Sequence, residues 1–129
     1  KEIKGDNLVE DKVINFKKRD FTIRSLANHS ARFNFDDLCG SDTSAEDYLQ
    51  LVKYVNILIL ENVPDFSNSN SNQQERFINL IDILYDNQVN LIMSLEKKIE
   101  NLNSAYYLKN KFIRTKSRLI EMKSKNYRG

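Results

Sequence analysis

The chain has 129 residues and a mass of 15.2 kDa, which suits one domain and leaves little room for two independent cores. Lys plus Arg number 20 against 18 Asp plus Glu; the near-balance, a net charge of +2, gives no bulk attraction toward nucleic acid or another polyanion. With 40% hydrophobic and 29% charged residues the chain is globular rather than disordered, and three glycines and one proline exclude collagen-like and Pro-rich linker classes.

The first segment reads as strands. Val13-Ile14-Asn15-Phe16-Lys17 precedes a polar turn at Lys18-Arg19-Asp20, and Phe21 to Leu26 alternates apolar and polar, as a half-buried strand does. The pattern predicts a β-hairpin, although the turn lacks Asn-Gly or Asp-Gly. Arg32-Phe33-Asn34-Phe35 is a further short extended stretch, and Asp36 to Gly40 a turn of helix stopped by the glycine. Thr43 or Ser44 caps a predicted helix from Ala45 to about Tyr54, with Glu46 and Asp47 favourable at its N-terminus and Leu49, Val52 and Tyr48 as its buried stripe.

Val55 to Leu60 is short, almost wholly apolar and partly β-branched, which predicts a parallel strand buried on both faces, and Glu61-Asn62-Val63-Pro64 ends it. Residues 65–72 carry no period and read as a solvated loop. Gln73 to Asn87 is the clearest helix: Phe77, Leu80, Ile81, Leu84 and Tyr85 recur at helical spacing, with Ile78 and Ile83 widening the stripe. Val89 to Ser94 is a second short strand, so residues 55–94 form a βαβ unit expected to be parallel and right-handed. A weaker helix is expected from Glu96 to about Leu108. The basic segment Phe112 to Met122 is left open between a helix and a loop followed by a strand. The fold class is therefore α/β: an N-terminal hairpin, then a βαβ unit with parallel strands 55–60 and 89–94 and flanking helices.

Much site chemistry is excluded. No G-x-x-x-x-G-K-[ST], G-x-G-x-x-G or G-x-S-x-G pattern occurs. Cys39 has no second cysteine to pair with and reads as a buried structural thiol; His29 reads as solvated; a Cys/His metal site is not expected. No apolar run approaches the roughly 20 residues of a membrane span, and Lys1-Glu2-Ile3-Lys4 opens no signal-peptide core, so the expected compartment is cytoplasmic. Glu61 follows a buried strand, where ligand sites of open α/β sheets gather, but a solvated strand end is the commoner case. Asp82 and Asp86, four apart on one helix, are read as solvated face charges rather than a cation site. Arg114, Lys116, Arg118, Lys123, Lys125 and Arg128 form a basic cluster. Arg114 and Arg118 can present guanidinium forks to phosphate oxygens or stand as solvated charges, while Lys123 to Arg128 reads as a solvated tail.

A resemblance sharpens this picture. Phe33-x-Phe35-Asp36-Asp37-Leu38-Cys39, Asp47-Tyr48-Leu49, Asn62-Val63-Pro64, Arg76-Phe77-Ile78-x-Leu80-Ile81-Asp82-x-x-Tyr85-Asp86, Val89-x-Leu91-Ile92-Met93-Ser94 and Arg114-Thr115-x-Ser117-Arg118-Leu119-Ile120-Glu121-Met122 occur in order. Together they resemble the C-terminal part of ZapE-like ATPases, AAA-type P-loop proteins of cell division and mitochondrial quality control. Arg19 also resembles a Gly-Arg position of the family, with Lys18 where Gly is usual. The resemblance implies that ATP and Mg are bound by the full-length protein through motifs upstream of this stretch. Residues 1–129 alone would be a domain or fragment without catalytic residues of its own and without a metal. A looser likeness to a DnaA-like core implies that Arg118 or Arg114 touches nucleotide phosphate. The implied partners are the upstream nucleotide-binding half of the same protein, neighbouring subunits, and a client such as a cell-division protein or one peripheral to a membrane; nucleic acid is not expected. The alternative is a stand-alone protein-interaction module using the hairpin's open edge, without nucleotide chemistry. If the chain is a fragment, its strands lack cover and expose apolar surface.

Overall fold

The computed structural model describes the backbone of residues 10–16, 19–25, 30–40 and 43–126, and side chains from residue 30 to residue 123 outside 41–42. One five-stranded sheet runs in the order β1-β2-β3-β4-β5. Strands β1 (Glu10–Phe16) and β2 (Arg19–Ser25) are an antiparallel hairpin in the register Val13↔Thr22 and Ile14↔Phe21. The turn expected at Lys18-Arg19-Asp20 is corrected in part: Arg19 and Asp20 already belong to β2, while residue 18 and the expected solvated His29 lie outside the described residues. Strand β2 joins β3 (Ser30–Asn34) antiparallel at Ser25↔Ala31. Strands β3, β4 (Ile57–Val63) and β5 (Asn90–Leu95) are parallel, as the βαβ reading requires.

The sequence places β4 at 55–60, buried on both faces, and β5 at 89–94. The ladder instead runs over 57–63 and 90–95, and burial along β4 alternates: Leu58, Leu60 and Val63 are buried while Ile57 and Ile59 are half-exposed. The β-branched run is thus apolar on both sides but covered on one, and Glu61 stands within the strand rather than after it.

Helix α1 (Phe35–Cys39) follows β3 directly, and α2 (Ala45–Leu51) begins where the Asp47 carboxylate accepts the Ser44 N–H at 2.8 Å. Of its expected stripe, Tyr48 is buried and Val52 half-buried, but Leu49 is 48% exposed and Leu51 takes its place inside. Helix α3 (Ser71–Asp86) buries Phe77, Ile78, Leu80, Ile81 and Leu84 of the predicted stripe, while Ile83 and Tyr85 are half-buried. Its buried Gln74 donates to Ser104 Oγ at 2.8 Å and accepts the Ala105 N–H at 2.9 Å.

The predicted helix at 96–108 is instead a tethered loop with two 3-10 turns, Ile99–Asn101 and Tyr106–Leu108. Ile99, Leu102, Ala105 and Leu108 are buried every third residue, a spacing that mimics a helix. The backbone there is bonded by side chains from elsewhere: by Gln74, by Lys116 Nζ to the carbonyls of Glu100 and Leu102, and by Asn68 Oδ1 to the Tyr106 N–H. The basic segment left open by the sequence is helix α4 (Lys109–Asn126), which buries Phe112, Thr115, Leu119 and Met122 one or two turns apart. Thr115 bonds the Lys111 carbonyl one turn back at 3.3 Å, so its hydroxyl is satisfied inside the helix.

Four buried phenylalanines from four different parts of the chain meet under the sheet. The Phe66 ring lies 5.9 Å from Phe35, 5.4 Å from Phe77 and 5.5 Å, edge-on, from Phe112. Phe77 is 6.0 Å from Phe35. These separations are those of favourable tilted and T-shaped pairs. Truncating the shared ring in Phe77→Ala should lower the unfolding free energy by about 3–5 kcal/mol, read as a shifted urea midpoint with an unchanged slope. A loss below about 1 kcal/mol would mean the cluster does not carry the packing.

Candidate functional site

Three sets of polar groups stand out: the carboxyl ends of the parallel strands, the loop behind them, and the α3–α4 face. At the strand ends, Asn62 adopts φ +63°, a left-handed conformation that Asn tolerates better than most residues. That turn of the backbone aims its N–H at Ser94 Oγ (2.8 Å), and its side-chain amide donates to Asn34 Oδ1 (3.3 Å). One residue from each parallel strand is thereby tied to its neighbour at the edge where open α/β sheets take ligands. Glu61 ion-pairs with Arg32 at 3.2 Å across β3 and β4, with both side chains largely exposed. Such a pair is worth about 0–1 kcal/mol.

Behind the strand ends, the Asp65 carboxylate accepts the Asn103 N–H (2.6 Å) and Asn103 Nδ2 (2.8 Å) and faces Lys97 Nζ at 3.2 Å, while the Asp65 N–H donates to Glu96 Oε1 (2.9 Å). Desolvation works to raise its pKa, but the Asn103 side-chain and backbone donors, Lys97 and the Phe66 N–H outweigh it and bring the carboxyl from 3.8 down to about 2.

Cys39 is buried and free. Burial pushes its thiol up to about 12, the nearby Tyr48 hydroxyl and Arg76 only partly opposing this, so it is protonated and inert at neutral pH. Burial likewise raises the Tyr48 phenol, whose hydroxyl donates to the Leu38 carbonyl at 2.6 Å beside the Thr43 hydroxyl. Arg76 donates to the carbonyls of Cys39 (3.3 Å) and Gly40 (3.1 Å), closing the end of α1 from α3.

On the α3–α4 face the two arginines part company. Arg118 is ion-paired to Asp82 and lies over the Tyr85 ring, 5.0 Å from its centroid; the Tyr85 hydroxyl donates to Glu121 at 2.8 Å. Asp82 is therefore engaged by Arg118, and Asp86 is an exposed charge one turn on. Arg114, one turn before Arg118, is exposed, and its side chain has no hydrogen-bond or ion-pair partner among the described residues. Glu61 lies at the strand ends and the two arginines on α4, next to the loop side of β5, so the fold does not gather the three into one cluster. Among the described residues no group of three or more His, Cys, Asp or Glu side chains is placed to hold a metal ion. No helix among them is long and apolar enough to cross a membrane.

Parallel strands with polar groups at their carboxyl ends and helices alongside make this an α/β unit of the kind found in P-loop-type domains. The model of the AFG1-like ATPase family matches residues 2–129, and the chain belongs to that family, corresponding to its C-terminal part. Cell division protein ZapE of Escherichia coli (strain K12) is 30% identical over 109 residues, 84% of this chain and 29% of the relative. Lactation elevated protein 1 homolog B of Danio rerio is 28% identical over 97 residues, 75% and 19% of the two chains. A Schizosaccharomyces pombe protein, C115.02c, is 33% identical over 84 residues, 65% and 18%. The chain thus spans less than a third of the length of these relatives. No solved structure matches it.

Asn62, Asp65 and Arg76 emerge as organising residues only from the fold. Asn62 and Arg76 stand inside motifs of the family resemblance, but nothing in the local pattern marks Asp65, whose partner Asn103 is 38 residues away. Because the folded carboxyl titrates below its free value, Asp65 contributes stability above about pH 4 that disappears as pH falls toward 2. Asp65→Ala should cost about 1–2 kcal/mol at pH 7, and the gap from the wild type should close between pH 4 and 2 in denaturant titrations. A gap independent of pH would remove the charge from the account.

Proposed function

We propose that this chain is the C-terminal part of an ATPase whose ATP and Mg are held by an upstream nucleotide-binding half, and that Arg114 contributes a guanidinium to the phosphates there or in a neighbouring subunit. The observation that carries the reading is the contrast on α4. Arg118 is locked to Asp82 and Tyr85, while Arg114, one turn away on the same helix, is exposed and has no partner among the described residues. A helix pinned by one arginine can present the next without reorganisation, which is what stabilising charge on a transferring phosphoryl group demands. Arg118 then acts as a positioning residue and Glu61 as a surface partner of Arg32. Membership of the AFG1-like ATPase family supports the ATPase class. The similarity to a cell division protein, ZapE, supports a link to cell division; the proposal carries protein quality control as the alternative role and places the protein in the cytoplasm.

A second reading, a protein-interaction module without nucleotide chemistry, is favoured by one observation: Ile113 and Ile120 are exposed seven residues apart on α4, and Tyr106 is exposed in the 3-10 turn that leads into it. Such spacing suits a partner helix or a client protein.

In the full-length protein, Arg114→Ala should lower kcat for ATP hydrolysis tenfold or more with an unchanged melting temperature, and Arg114→Lys should restore only part of it. Arg118→Ala should lower the melting temperature. Unchanged turnover in a well-folded Arg114→Ala protein would pass the argument to the interaction module.

A further inference from the structure

Right-handed crossovers in the monotonic order β3-β4-β5 put their helices on one side of the sheet. On that side Ala31, Phe33, Leu58, Leu60 and Leu91 are buried. Side chains alternate, so the register sets out the other side as rows: Ser30, Ile57 and Asn90 abreast, then Arg32, Ile59 and Ile92, then Asn34 beside Glu61. Ser30 is buried and Ile57 and Ile59 are half-buried, but Ile92 is 51% exposed at one end of the middle row and the Arg32 side chain 60% exposed at the other. All-parallel sheets are covered on both faces, so a partly open face of three parallel strands with isoleucines in it is an unfinished layer. The apolar surface also continues round the free edge of β5 into a groove of about 260 Å³ lined by Ile92, Met93, Leu95, Leu119 and Met122.

The character of the face narrows its occupant. Arg32 and Glu61 neutralise each other across it, so it offers no net charge to a polyanion or an anionic lipid. Three strands about 4.8 Å apart and five residues at about 3.3 Å each make a patch of only a few hundred Å². A stable complex between separate molecules buries about 800 Å² per partner. A tethered partner needs much less, because its effective concentration is already millimolar or higher. The relatives supply the tether: this chain corresponds to the C-terminal part of proteins of which it covers 18–29%, so most of each relative's length precedes it.

We propose that the upstream nucleotide-binding part of the same polypeptide packs against the open face of β3, β4 and β5, with Ile92 and Ile59 as its apolar anchors and the Arg32–Glu61 pair enclosed at its rim. The inference rests on the reading of the chain as the C-terminal part of a longer ATPase, and it names the surface that joins the two parts.

The test uses the full-length protein carrying Ile92→Cys or, separately, Leu49→Cys. The second site lies on α2 and is 48% exposed, against 51% for Ile92. Maleimide modification at each position is followed by peptide mass spectrometry, and ATP turnover is recorded on the same samples. Position 92 should react at least tenfold more slowly than position 49, unchanged by hundredfold dilution. Equal rates would overturn the proposal, and protection lost on dilution would overturn it in favour of a second copy. Hydroxyl-radical footprinting of Ile92 against Leu49 in the unmodified protein gives the same reading should Ile92→Cys fail to fold. Protection at 92 in a protein that hydrolyses no ATP would uphold this surface and overturn the ATPase reading. Exposure at 92 with normal turnover would overturn only the surface.

Discussion

Everything else in the domain depends on the contact of four aromatic rings. Phe35 comes from the helix at the end of β3, Phe66 from the loop after β4, Phe77 from α3 and Phe112 from α4, and all four are almost wholly buried. Each ring belongs to a different segment, so one cluster fixes where every helix near it sits. It can do so only on one side of the sheet. That single-sided core is why α3 is enclosed by apolar neighbours while the opposite surface leaves Ile57 and Ile59 half-exposed and Ile92 exposed.

The polar groups follow from this arrangement. The loops leaving β4 and β5 must run over the ends of the strands to reach α3 and α4, and they are stitched there by side chains rather than by regular structure. Asp65 grips Asn103, Gln74 grips Ser104 and Ala105, and Lys116 grips the carbonyls of 100 and 102. These bonds hold α4 against α3. The ion pair of Arg118 with Asp82 and the stacking on Tyr85 complete the placement, leaving Arg114 presented outward on a helix that does not need it.

How much of this was legible in the sequence varied with the physics. The hairpin and α3 were readable because each leaves a period in the sequence, two from Phe21 to Leu26 and 3.6 from Phe77 to Leu84. The burial of β4 was misjudged because β-branched residues look the same whether the second face is covered in the chain or by something else. The loop at 96–108 passed for a helix because its buried residues recur every third position, while α4 hid its period behind a buried Thr115 among basic residues. The candidate site was the least legible. Arg114 and Arg118 differ only through Asp82 and Tyr85, more than thirty residues distant, and the left-handed Asn62 leaves no mark in composition. The family resemblance supplied what local patterns could not, the context of a longer ATPase, and family membership agrees with it.

The central claim is that this domain is an integral layer of a larger ATPase rather than an appendage. The most direct measurement is denaturant unfolding of the full-length protein followed by two probes, binding of a fluorescent ATP analogue and hydrogen exchange of the α3 amides, with and without Phe77→Ala. The account predicts that both probes report one transition and that the substitution moves them together, as the proposed packing of the upstream part on the open sheet face requires. Two separate transitions, with Phe77→Ala shifting only the exchange of α3, would contradict it.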